Sequence, residues 1–194
     1  LFPALPCVFN CRLGRYPRIA FLDDDPARTE ALGFPVLGPG AWMPRYLQDF
    51  ELFIAVGDNQ VRQTLQEQAE ALGARLATLV HPQAVLGTQV SLGPGTVVMA
   101  GAVINCGSRL GRGCIVNTSA SVDHDNFLED FVHVSPGARL AGTIHIGQGT
   151  WIGIGATIIN NRSVAAGCRI GAGAVVIRDI TQKGTYVGIP ARRI

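Results

Sequence analysis

Ile146-Gly147-Gln148-Gly149-Thr150-Trp151-Ile152-Gly153-Ile154-Gly155-Ala156-Thr157-Ile158 holds two periods of a six-residue pattern that runs from Val80 to Thr181. An aliphatic residue returns at every sixth position: Val80, Leu86, Leu92, Val98, Ile104, Leu110, Val116, Val122, Leu128, Val134, Leu140, Ile146, Ile152, Ile158, Val164, Ile170 and Val176. Four places on stands a small side chain, as at Thr96, Ala102, Ser108, Cys114, Ala120, Ala138, Thr150, Ala156, Cys168 and Ala174. A period of six fits neither an α-helix nor an alternating strand. It is the hexapeptide pattern of a β-helix, three hexads closing one triangular coil of about 18 residues. The aliphatic residue fills the interior and the small one fits beside it. A Gly-rich β-sandwich is the competing architecture, and seventeen hexads in register argue against it.

Outside the repeat the sequence is less regular. Residues 1–17 mix Pro3, Pro6, Cys7 and Cys11 with apolar residues of no clear period, and form an irregular N-terminal segment without a clean signal-peptide layout. Arg18 to Leu22 reads as a strand ended by Asp23-Asp24-Asp25-Pro26, Phe34 to Gly40 as a turn-rich connection, and Trp42 to Phe50 as room for a short helix. Leu52 to Val56 reads as an apolar strand. Asp58 is then an N-cap for a helix with Val61, Leu65, Ala69 and Leu72 on its apolar face, closed by Gly73. Arg75 to Val80 leads into the first coil. Strand, helix and strand in succession predict a small α/β unit over residues 18–79. Residues 80–181 form the β-helix and 182–194 a terminal cap over its open end.

Composition narrows the function. The 194 residues carry a net charge of +2, too little to argue for nucleic acid or a membrane surface. No apolar run reaches the length of a membrane span. Five cysteines are scattered; Cys114 and Cys168 fall on inward positions where Cys acts as a small hydrophobe, and a reducing, cytoplasmic setting is the default.

Function is sought where the repeat is broken. The stretch from Ser121 to His133 packs two His and four carboxylates into thirteen residues. His124 takes a turn position and points outward, in a column with Cys106, Gly142 and Asn160 at steps of 18. An imidazole beneath a residue with no side chain leaves room for a ligand. His124 reads either as a general base with a carboxylate neighbour or as a solvated surface histidine. His133 shares a column with Ile115, Trp151 and Arg169 and is expected to pack on Trp151; His81 and His145 read as ordinary surface residues. Two inward positions are polar, Asn126 and Arg162. A buried Asn bonds to coil carbonyls; a buried Arg without a partner is costly, so either the Asn160-Asn161-Arg162 turn expels it or a carboxylate meets it.

Asn117-Thr118, Val122-Asp123-His124-Asp125, Phe131-Val132-His133-Val134-Ser135-Pro136-Gly137-Ala138 and Leu140-Ala141-Gly142 together resemble the sugar O- and N-acyltransferases of the left-handed β-helix class. The nearest types are the sialic-acid O-acetyltransferases and the UDP-4-amino-sugar N-acetyltransferases of bacillosamine synthesis. The resemblance implies a homotrimer with acetyl-CoA in the groove between neighbouring β-helices. It implies His124 as the base and Asp125 as the acid that raises its basicity. It implies His133 and Gly142 at the acetyl-CoA thioester, Ile154, Gly155 and Ala172 along the pantetheine arm, and Tyr186 to Arg192 near the nucleotide end. Phe21-Leu22-Asp23-Asp24 and Ala55-Val56-Gly57-Asp58-Asn59 match a Rossmann-like domain holding the nucleotide sugar, with Asp23, Asp24, Gly57 and Asn59 as contacts. That domain normally opens with a strand and a Gly-rich loop; residues 1–17 hold one glycine, Gly14, so the first βα unit is expected to be missing.

The expected activity is therefore acetyl transfer from acetyl-CoA to an amino or hydroxyl group of an activated sugar, by direct attack and without a metal. Two alternatives stand beside it. One is a non-catalytic trimeric scaffold that has lost its sugar domain. The other is a zinc carbonic anhydrase of the same fold, which needs three converging His; the spacings of His124, His133 and His145 place them at unlike turns.

Overall fold

The computed structural model describes residues 16–194. Its body is a three-sided parallel β-helix. Each of the seventeen hexads gives a two-residue strand that ends on the aliphatic position, from Leu79–Val80 to Val175–Val176. Strands 18 residues apart pair in parallel: Ser121 lies between Val103 and Arg139, and His133 between Ile115 and Trp151. Face one stacks Leu79–Val80, Val97–Val98, Ile115–Val116, His133–Val134, Trp151–Ile152 and Arg169–Ile170. Face two runs from Val85–Leu86 to Val175–Val176, and face three from Ser91–Leu92 to Ser163–Val164.

The interior is built as the period requires. Val98, Val116, Leu128, Val134, Ile146 and Ile158 are fully buried, with Ala102, Ala120, Ala138 and Ala156 beside them. Each large aliphatic side chain so placed contributes about 1.5–3 kcal/mol. Cys114 and Cys168 are equally buried, and burial pushes the Cys114 thiol up to about 12, so it serves as a small hydrophobe. Asn126 is the inward polar residue that works: its amide donates to Asp123 O (2.7 Å) and Ala141 O (2.9 Å) and accepts from Ile144 N (2.8 Å), tying two coils together at one corner. Arg162 is half-buried and a carboxylate meets it, Asp179 at 3.4 Å. Thr185–Val187 adds in parallel to Arg169–Ile170 and then turns back against Arg192–Arg193.

Ahead of the β-helix, the small unit is thinner than its sequence predicts. The strands expected over 18–22 and 52–56 reduce to the parallel bridges Phe21–Val36 and Leu52–Leu76. Glu30–Ala31 and Phe34–Pro35 form a short hairpin, and the short helix is a 3-10 segment, Gly40–Tyr46, with Pro44 inside it. One α-helix follows, α1, Asn59–Ala71, capped as expected by Asp58, whose carboxylate accepts from Gln60 N and Val61 N. The expected loss of the first βα unit concerns residues that lie, apart from 16 and 17, outside the described residues.

The packing of α1 corrects the expected apolar face. Val61, Leu65 and Leu72 are 48%, 36% and 51% exposed, whereas Asn59, Arg62, Gln66 and Ala69 are buried. The helix lies along the corner formed by Gly95, Gly113, Phe131 and Gly149, residues 18 apart with φ between +57° and +74°. Asn59 Nδ2 donates to Gly149 O (2.9 Å), Arg62 to Gly113 O and Phe131 O, and Gln66 Nε2 to Pro94 O (3.1 Å). A helical turn rises about 5.4 Å and stacked strands lie about 4.8 Å apart, so each turn of α1 meets roughly one coil. Corner carbonyls point outward and need donors; a polar stripe supplies them where an apolar one cannot. A Cβ on Gly95 or Gly113 would run into Gln66. Arg112 closes the contact, pairing with Glu67 and Glu70 of α1 and with Asp130 of the next coil.

Candidate active site

His124 sits on the corner between face two, at Ser121–Val122, and face three, at Phe127–Leu128. Asp123 shapes the turn: its Oδ1 accepts from His124 N (2.9 Å) and from Asn105 Nδ2 (2.8 Å) of the coil below. The Asn105 bond, then the backbone of His124, holds the Asp123 carboxyl below the usual range. Asp125 takes φ +56°, a left-handed conformation that Asp tolerates better than most residues. That turn brings Asp125 Oδ2 to 2.9 Å from His124 Nδ1. The hydrogen bond to Asp125 raises the His124 pKa; slight desolvation opposes it and the charges of Asp123 and Asp125 add to it. With Nδ1–H directed at a carboxylate, the lone pair is on Nε2, the nitrogen a base needs. The side chain is 51% exposed. Gly142 stands over the ring, where a Cβ would lie 2.5 Å from Nε2.

His133 occupies a different environment, on face one and only 6% exposed. Its ring stacks on Trp151 at 4.8 Å and 21°, and Arg169 covers Trp151 at 5.0 Å on the column the repeat predicts. Trp151 Nε1 donates to Ser135 Oγ (2.8 Å). Asn117 Nδ2 lies 3.3 Å from His133 Nε2. Burial first, then the Arg62 charge, pushes the His133 pKa down to about 4, against the Gly57 backbone beside it. His133 is thus neutral where His124 titrates.

The remaining expected positions fall into two groups. Ile154, Gly155 and Ala172 lie exposed on the outer surface of the coils, and Gly155 has no neighbour within 4 Å of a would-be Cβ. In the small unit, Asp23 pairs with Arg28 at 2.7 Å and accepts from Asp25 N, and Asp24 accepts from Gly40 N at 2.8 Å. Gly57 O accepts from Arg62, and the Asn59 side chain is buried against Gly149 and Arg62. Gly57 and Asn59 therefore meet the β-helix on the His133 side, through Arg62. His124 stands on another corner of the same prism. Arg62 and Gln66 are not visible as site residues in the sequence; their spacing on α1 with Asn59, matched to glycines 18 apart, is the signal that marks them.

Residues 9–69 match the family described as PglD N-terminal domain. Over 182 residues the chain is 30% identical to the GDP-perosamine N-acetyltransferase of Escherichia coli O157:H7, spanning 91% of this chain and 82% of that protein. The chain belongs to the hexapeptide-repeat sugar acetyltransferases. Among solved members, the acetyltransferase domain of PglB from Neisseria gonorrhoeae FA1090 is 42% identical with a TM-score of 0.93, over 96% of this chain and 92% of that one. That domain has also been solved in complex with acetyl coenzyme A. PerB from Caulobacter crescentus, in complex with CoA and GDP-perosamine, is 40% identical with a TM-score of 0.85, over 90% of this chain and 84% of that one. As a hexapeptide-repeat sugar acetyltransferase, this chain is an acyltransferase of β-helix architecture. No helix among its described residues is long and apolar enough to cross a membrane.

Proposed function

We propose that this chain transfers the acetyl group of acetyl-CoA directly to the amino group of a nucleotide-activated sugar, with His124 as general base. The observation that carries this reading is the His124–Asp125 pair, with Nδ1 at 2.9 Å from the carboxylate and Nε2 turned outward beneath a glycine. In the proposed step the amine attacks the thioester carbonyl and Nε2 takes its proton. The tetrahedral intermediate collapses and the C–S bond breaks. CoA then leaves as a thiolate that gains a proton. Thr143 N is bonded to His124 O and Ala141 N to Ile158 O; the N–H of Gly142, between them, is the donor assigned to the oxyanion.

His133 and Gly142 are read as contacts of the thioester, Ile154, Gly155 and Ala172 as contacts of the pantetheine arm, and Asp23, Asp24, Gly57 and Asn59 as the sugar-nucleotide side. The known ligands of the Neisseria and Caulobacter relatives support both ligand classes. His124 and His133 lie on different sides of one prism, which supports a homotrimer with acetyl-CoA in the groove between copies. Cys114 and Cys168, buried as free thiols, fit a reducing cytoplasm. The zinc alternative fares worse, because the three histidines stand apart on the prism: His124 on the corner before face three, His133 buried against Trp151 on face one, and His145 on face three beside Glu129.

The test is release of free CoA thiol from acetyl-CoA with a panel of UDP- and GDP-linked amino sugars, for wild type and His124→Ala. Turnover should fall on the order of 10²–10⁴-fold in the variant, with acetyl-CoA binding little changed. Wild-type turnover in the variant removes His124 from the mechanism; no turnover by either protein with any sugar leaves the scaffold reading.

A further inference from the structure

Arg62 is 1% exposed and makes five hydrogen bonds, all to neutral oxygens. Nε donates to Gly113 O (2.8 Å), Nη1 to Val56 O (3.0 Å) and Gly57 O (3.1 Å), and Nη2 to Asn59 Oδ1 (2.7 Å) and Phe131 O (3.1 Å). A buried guanidinium without a carboxylate is an expensive way to dock a helix. Its acceptors instead join the turn before α1 to two successive coils, next to His133. Phe131 holds φ +57° while presenting its carbonyl to Arg62 and is fully buried.

The proton on His133 follows from its neighbours. Asn117 Oδ1 accepts from Thr118 N (2.8 Å), so the Asn117 amide turns its N–H toward His133 Nε2. Nε2 is then the acceptor and the proton resides on Nδ1. Nδ1 is buried and makes no complete hydrogen bond, with the Gly57 backbone beside it. The other charged and titratable groups around this point are Arg169 beyond Trp151, and Asp58 and Cys114, which face Arg62.

We infer that Arg62 is a positioning residue of the transfer site, holding the Val56–Gly57 turn and the Phe131 carbonyl in place around His133, whose Nδ1–H form is set by Asn117. The inference rests on the reading above for the part His133 plays in transfer. It gives that site a ring of fixed orientation beside the turn that joins the two units, one that does not titrate along with His124.

The test uses the full chain with ¹⁵N-labelled histidine, in wild type, Arg62→Lys and Arg62→Met, the His133 signals being assigned with His133→Gln. Wild type should show the Nδ1–H pattern between pH 6 and 8. In Arg62→Met the Nδ1–H form should persist, held by Asn117, while His133 should titrate about one unit or more higher. Its kcat should fall about tenfold or more, with acetyl-CoA affinity by calorimetry unchanged within about twofold. Arg62→Lys keeps the charge but cannot span five acceptors, so titration should stay low while kcat still falls. A wild-type His133 in the Nε2–H form overturns the proposal whether or not the variants fold. So do folded variants with wild-type turnover. Absence of acetyl transfer in wild type with the expected His133 spectrum would instead defeat the proposed function and leave the tautomer assignment standing.

Discussion

Replacing Gly142 by Ala adds one methyl group at the point where the His124 reading is most exposed to refutation. The new Cβ would lie 2.5 Å from Nε2 and 2.6 Å from Cε1, where ordinary contact begins at 3.4 Å. The ring must retreat by about 0.9 Å, since Gly142 belongs to a backbone fixed in the coil ladder. A half-exposed imidazole on a two-angle side chain can make that move. The fold therefore tolerates the change, and a Gly→Ala replacement at ordinary φ adds stability, about 0.4–1 kcal/mol. Catalysis does not tolerate it. The retreat breaks the 2.9 Å alignment with Asp125 and carries Nε2 away from the acceptor amine. A misplacement near 1 Å costs roughly 10²-fold in rate. Turnover measured by CoA thiol release should drop by about that factor, with the melting temperature unchanged or raised. The effect must act through His124: on a His124→Ala background, adding Gly142→Ala should cost little further. A Gly142→Ala enzyme at wild-type kcat, or a loss that persists undiminished without the imidazole, would refute the reasoning.

Asp125→Asn removes the carboxylate that raises the His124 pKa. A base must be neutral to act, so the acid limb of kcat/KM lies at the raised pKa and should move to lower pH in the variant, as rate profiles will show; an unmoved limb denies the coupling. Arg162→Val is expected to change stability by no more than about 0.5 kcal/mol, because Arg162 pairs with Asp179 at a partly exposed site and no buried charge is relieved; chemical denaturation measures it, and a gain of several kcal/mol would place Arg162 in the interior instead. Gly95→Ala and Gly149→Ala share left-handed φ values, but only the first forces a Cβ into Gln66. Both should lose about 1–2 kcal/mol to backbone strain, and Gly95→Ala should lose about 1–3 kcal/mol more; equal losses would mean that α1 does not grip the corner through Gln66.

Much of the architecture is legible in the sequence because a β-helix is quasi-one-dimensional. Each coil contacts only its neighbours, so adding 18 to a residue number names the residue stacked upon it. That rule alone places Gly142 over His124 and Trp151 against His133, and it separates the inward Asn126 from the outward His124. Arg162 shows its limit. The hexad assigns it an inward position, yet Asp179 and the carbonyl of Asn160 hold its guanidinium at the half-buried edge.

The small unit was less legible, and α1 shows why. Hydrophobic periodicity assigns Val61, Leu65 and Leu72 to the core, on the assumption that a helix buries its apolar stripe. That holds when the partner surface is made of side chains. Here the partner is a corner of stacked backbone carbonyls and left-handed glycines, which calls for donors, so Asn59, Arg62 and Gln66 turn inward. The sequence by itself determined the coil, its register and the column in which His124 lies beneath a glycine, because those follow from a fixed local period. Only the tertiary structure decided which face of α1 is buried, where Arg62 directs its five bonds and that His133 is neutral. Each of these depends on groups brought together from residues some 50 to 90 positions apart, whose electrostatics no local period encodes.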